Sequence, residues 1–176
     1  MRELNKHFAI KLGVMVDSRL IWYKHYFKFC DEIIENMENP PYWIIELATT
    51  KYIPEATKVI NEYAYSEPFE EIPSEICDFF IACLYLSYNR REISWATFLQ
   101  KAGEYADGTQ AVECDCEWFF ELLNVYEDSQ FSKGLEKNQT KKVREIFQVN
   151  ITEAQELYRP FQHYFQEFVT QNNKNK

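Results

Sequence analysis

Glycine is scarce in this chain: four residues, at positions 13, 103, 108 and 134, among 176. Tight hairpins need residues that tolerate positive φ, so this scarcity argues against a sheet protein and for helices. Glycine-rich phosphate loops, G-x-G-x-x-G turns and G-x-S-x-G elbows are all missing, which removes the sequence signatures of most nucleotide-binding and hydrolase sites. No apolar run reaches the 18 residues that a membrane helix needs. The opening "MRELNKHFAI" lacks the charged-then-apolar pattern of a leader, so a cytoplasmic location is expected. The five cysteines, at 30, 77, 83, 114 and 116, are odd in number and without framework spacing, in keeping with a reducing compartment.

Positive charge is missing in two places. Val59 to Asn89 contains no Lys or Arg but six acids: Glu62, Glu67, Glu70, Glu71, Glu75 and Asp78. Ala102 to Ser132 again has no base and carries eight acids: Glu104, Asp107, Glu113, Asp115, Glu117, Glu121, Glu127 and Asp128. Half of the 28 acids therefore stand in two base-free windows of a chain whose net charge is −9. Such segments repel nucleic acid and anionic membranes, neither of which is expected as a partner, and attract a basic protein.

Aromatic residues are abundant: 14 Phe, 12 Tyr and 4 Trp make up 17% of the chain. Most are expected to fill a core, and some to anchor an interface. Their spacing predicts helices throughout. Asp17 or Ser18 is placed to cap a long helix, "RLIWYKHYFKFCDEIIENM". "NPPYWIIELATTKYIPEATKVINEYAYS" reads as two helices, the first capped by Asn39 with Pro40 or Pro41 in its first turn, the second opened by Pro54. "PSEICDFFIACLYLSYN" is apolar on nearly every side and is the candidate central helix. "SWATFLQKAGEYA" follows, capped by Ser94.

Loops are expected at "SEPFEEIPSE" and "DGTQAVE", and a flexible connection at "SQFSKGLEKNQT". Beyond it come a short helix, "KKVREIFQ", and a capping box, "TEAQ", opening a last helix that Pro160 kinks or restarts. The alternation of Phe8, Ile10, Leu12, Val14 and Val16 has the period of a strand. The expectation is one all-α domain over 1–176: an irregular bundle or stack of about seven to eight helices. Residues 1–17 would form a short extended N-terminal arm and 172–176 a frayed tail.

The stretch "ECDCE", residues 113–117, asks for metal or redox chemistry and does not supply the rest of it. No cysteine follows Cys116, and Cys77 and Cys83 stand about 600° apart on their predicted helix. His7, His25 and His163 match no metalloenzyme spacing. Read instead as a helix start, Asp115 accepts from free N–H groups of the first turn and Glu117 favours the helix dipole. Glu71 with Glu75, and Glu117 with Glu121, have the i, i+4 spacing of paired carboxylates, though nothing local would split their pKa values for acid–base work. No catalytic residue, metal ligand or cofactor is assigned.

In size, helical content, acidic windows and its "NPPYWIIELA" and "DCEWFFELLNVYED" helices, the chain resembles the small acidic all-helical immunity proteins that bacteria encode beside polymorphic or contact-dependent toxins. The resemblance runs over most of the chain and is one of style, so it transfers no residue roles. It implies a protein that binds a cognate toxin, commonly a basic nuclease. From the base-free windows, the residues expected to dock such a partner are Glu67, Glu70, Glu71, Glu75, Glu113, Asp115, Glu117 and Glu121, with Tyr63, Tyr65, Phe69, Trp118 and Phe119 as apolar anchors. The rival expectation is a helical adaptor or regulatory domain that binds an endogenous protein through an apolar groove.

Overall fold

The computed structural model describes residues 3–72, 75–109 and 112–174, and among them every regular element is a helix. In chain order these are α1 (Lys6–Asp17), α2 (Tyr23–Asn36), α3 (Tyr42–Leu47), α4 (Ile53–Ala64), α5 (Ile76–Asn89), α6 (Trp95–Thr109), α7 (Cys116–Asp128), α8 (Lys133–Ile146) and α9 (Gln148–Lys174). They fall into two compact units, one formed by residues 1–72 with 156–176, the other by 73–155.

In the first unit, the segment with strand-like alternation is the helix α1. Asn5 caps it, its side chain accepting the Phe8 N–H at 2.9 Å. A second pattern runs through the same residues: Ala9, Leu12, Gly13 and Val16 share a helical face and are buried. That face packs on α4, whose Ile60 and Asn61 come so close to Gly13 that a Cβ there would lie 3.1 Å from Asn61 Oδ1. The long helix expected from Ser18 starts later, because Leu20 and Ile21 are buried in the connection. Ser18 instead ends α1, Arg19 takes φ 63°, and Trp22 holds the N-cap position of α2. Pro41, not Asn39, occupies the N-cap position of α3, while Pro54 opens α4 as expected. The last part of α9 lies on α2, with Phe161 5.1 Å from Phe29, Phe165 stacked on His25, and Glu167 paired with Lys28 at 3.0 Å. Pro160 lies inside α9 without ending it.

In the second unit, α5 is the central helix. Ile81 through Ser87 are buried without a break. Rings close the space around it: Phe80 stacks on Tyr105 of α6 at 3.8 Å, Phe98 meets Phe119 of α7 edge-on, and Phe119 stacks on Phe147. Ser94 caps α6 as expected, accepting the Thr97 N–H at 3.1 Å.

The segment "SQFSKGLEKNQT" is no flexible connection. A tight turn with Gln130 and Phe131 at positive φ leads into α8, and the polar Gln139 that suggested solvent is buried. Its amide accepts from Trp95 Nε1 at 2.8 Å and donates to the Leu122 carbonyl at 2.9 Å. Helix α9 begins at Gln148, so the Thr152 hydroxyl bonds back to the Gln148 carbonyl within the helix instead of capping a new one. Residues 172–174 of the expected tail continue α9, and 175–176 lie outside the described residues. So do Pro73, Ser74, Gln110 and Ala111 of the two expected loops; Asp107 to Thr109 belong to α6.

Two glycines of α6 separate packing from propensity. A Cβ on Gly103 would lie 2.7 Å from Phe120 Cε1 of α7, whereas one on Gly108 meets nothing within 4 Å. Gly103→Ala should destabilise the chain by roughly 1–3 kcal/mol through overpacking, and Gly108→Ala should be neutral or stabilise it by up to about 1 kcal/mol. Urea unfolding midpoints of the two variants check this.

Candidate functional site

In the second unit a hydrogen bond ties the acids of the two base-free windows together. Asp78, in the first turn of α5, accepts the backbone N–H of Glu113 at 2.9 Å. Both helices concerned begin in acids: Glu75 and Asp78 on α5, Asp115 and Glu117 on α7. Asp115 is the N-cap, accepting the Trp118 N–H at 2.8 Å. The free N–H groups and dipole of a helix start favour negative charge, which offsets part of the repulsion from gathering it.

Repulsion is visible in the protonation equilibria. Burial lifts the Asp78 carboxyl above its ordinary value of 3.8; the Glu113 N–H works against that rise, and the charges of Glu113 and Glu75 add to it. Cys114 is pushed up to about 11, first by burial and then by Glu113, Asp78 and Asp115. Cys116 is raised as well, its thiol directed at Asp107 across 3.7 Å. The "ECDCE" stretch is thus a helix cap whose thiols are held protonated. His7 pairs with Glu70, His163 with Glu167, and His25 stacks on Phe165. Among the described residues no group of three or more His, Cys, Asp or Glu could hold a metal ion.

Of the eight acids expected to dock a partner, Glu75, Glu113, Asp115, Glu117 and Glu121 belong to the second unit and are exposed. Glu75 and Glu113 meet around Asp78, and Glu113 and Asp115 around Cys114. Glu117 and Glu121 follow on α7. Glu67, Glu70 and Glu71 belong to the first unit, on the segment after α4, and are exposed. There Lys6 donates to the Ser66 and Pro68 carbonyls, and Glu70 stands 3.6 Å from His7.

The expected anchors divide. Phe69 and Tyr65 are exposed, Trp118 is half-buried, Tyr63 stacks on Trp43 and donates to the Leu4 carbonyl, and Phe119 is wholly buried. Phe119 is core, because its place on α7 faces Phe98 and Phe147. Asp78 and Asp107 are two of the six window acids that sequence reasoning left out of the docking set. Their only signal was position, near a helix start and a helix end.

Sequence reasoning also missed a cleft of about 640 Å³ in the second unit, lined by Tyr88, Arg91, Ile93, Trp95, Tyr126 and Glu136 among others. Tyr88 donates to Glu136 Oε1 at 2.5 Å and Tyr126 to Oε2 at 2.8 Å. Both phenols are pushed up, Tyr126 to about 12, by burial and then by bonding to the carboxylate, which keeps them as donors. The lining residues come from four helices and the α5–α6 connection, and no local pattern links them.

No protein-family model, curated protein or solved structure matches this chain.

Two outcomes test the electrostatics. The raised carboxyl of Asp78 means that folding favours its protonated form, a contribution present below the unfolded value and lost as pH rises through the folded one. Asp78→Asn keeps the acceptor for Glu113 and should raise the thermal midpoint at pH 7 but hardly at pH 3. Cys114 should react with iodoacetamide at pH 8 on the order of a hundredfold more slowly than a free cysteine. Mass-spectrometric labelling rates check this, and Glu113→Gln should speed the reaction.

Proposed function

We propose that this chain binds and neutralises a basic protein, as an immunity protein does its toxin, with the acids around the starts of α5 and α7 as the docking face. The bond from the Glu113 N–H to Asp78 carries the reading, because it draws together two segments that lack any Lys or Arg. Carboxylates gathered in this way raise the encounter rate with a cationic partner while adding little to raw affinity. Trp118, half-buried beside Glu117, supplies an apolar contact once the partner has docked. Asp115 is committed to its helix cap, so in this reading Glu113, Glu117 and Glu121 do most of the steering.

A second reading, a helical adaptor, is favoured by a groove of about 520 Å³ in the first unit, lined by Phe29, Ile33, Met37, Pro160 and Tyr164 together with Glu32 and Asn36. An apolar groove of this kind would bind a partner with little dependence on salt.

The protein encoded by the adjacent open reading frame is the first partner to test, by surface plasmon resonance at several salt concentrations. The association rate should fall by about tenfold or more between low and high salt. Glu121→Lys should slow association without lowering the unfolding midpoint, since its exposed side chain lies beyond the first turn of α7. Association indifferent to salt would remove the steering role and favour the groove.

A further inference from the structure

The cleft in the second unit is lined by one charge of each sign, and neither has an ion-pair partner within 4.0 Å among the described residues. Glu136 accepts from Tyr88 and Tyr126, and no Lys, Arg or His nitrogen lies within 4.0 Å of it among the described residues. Each phenol spends its proton on the carboxylate and keeps its oxygen as an acceptor. Two phenol oxygens and a carboxylate lining one cleft match the three N–H donors of a primary ammonium group. Aromatic rings beside such a site add attraction for a cation, and Tyr88, Trp95 and Tyr126 supply them.

The opposite charge is Arg91. It lines the same cleft, and no carboxylate lies within 4.0 Å of it among the described residues. Its neighbour Arg90 is engaged with Glu92 at 2.7 Å, so the acid nearest in sequence is already matched. Arg91 also stands at φ 61°, just past the end of α5, where its N–H bonds the Tyr88 carbonyl and the Glu92 N–H bonds the Ser87 carbonyl. Glycine is the residue that fits this helix-ending motif without strain. An arginine there adds a positive charge to the lining of the cleft against the backbone's preference.

We propose that this cleft binds a small zwitterion, a free α-amino acid with an apolar side chain. Its ammonium group meets Glu136 and the two phenols, its carboxylate meets Arg91, and its side chain lies against Ile93 and the rings. The volume of about 640 Å³ is in the range of small-molecule sites and exceeds what such a ligand fills. A ligand that carries both charges on one carbon explains why the lining of the cleft includes both signs of charge inside a unit otherwise rich in acids.

The test is calorimetric titration of the full chain with L-phenylalanine, phenethylamine and 3-phenylpropionate, followed in parallel by the Trp95 indole N–H resonance. L-Phenylalanine should bind at least about tenfold more tightly than either half-ligand, since each charge-assisted contact is worth at least that factor. Arg91→Gly should erase the advantage of the amino acid over the amine while raising the unfolding midpoint through relief of the positive φ. Glu136→Gln should abolish binding of the amine. Absence of heat and of resonance shift with L-phenylalanine at millimolar concentration would overturn the proposal. So would equal binding of the amino acid and the amine, or an Arg91→Gly variant that binds L-phenylalanine undiminished.

Discussion

Rings buried around α5 allow the second unit to gather carboxylates at its helix starts. Phe79, Phe98, Phe119 and Phe147 are each essentially inaccessible to water, and burying one such side chain is worth roughly 1.5–3 kcal/mol. Two carboxylates about 5 Å apart in water repel by under about 1 kcal/mol. The aromatic core therefore outweighs the repulsion among Glu75, Asp78, Glu113 and Asp115, and helix starts reduce it further. Those acids stay together because the packing of α5, α6 and α7 leaves them no alternative.

That order of magnitudes connects fold to function. A face that tolerates like charges at slight expense to stability stores a long-range attraction for a cationic partner. Together with burial, the same charges hold the thiols of Cys114 and Cys116 protonated. The cleft beside Glu136 follows a different logic. There a carboxylate is held by two phenols in a cleft whose lining also includes an arginine, the arrangement from which a zwitterionic ligand is proposed.

Helices with strong periodicity were legible in the residues. The central helix was readable from an apolar run with no polar face, and the caps at Ser94 and Asp115 from residue type and position. Helix α1 was not, because its apolar residues satisfy a period of two as well as a helical one, and burial against α4 decides between them. "SQFSKGLEKNQT" misled for another reason: Gln139 and Glu136 are polar but engaged by Trp95, Tyr88 and Tyr126, partners up to 48 positions away in the chain. The anchor role expected of Phe119 failed because position in an acid-rich window says nothing of which side of its helix a ring takes. The two windows suggested a shared face; the bond that ties their acids, Glu113 to Asp78, involves an acid of the first window that the expected docking set left out.

The proposed docking face depends most on that contact, and the Asp78 carboxyl reports it directly. A carbon-13 NMR titration of the full chain, repeated with Glu113→Gln and Glu75→Gln, measures its pKa in place. The value should lie above 3.8 in the natural sequence and fall when either neighbouring charge is removed. A carboxyl that titrates at or below 3.8, or one that ignores both substitutions, would mean that Glu113 and Glu75 do not gather around Asp78.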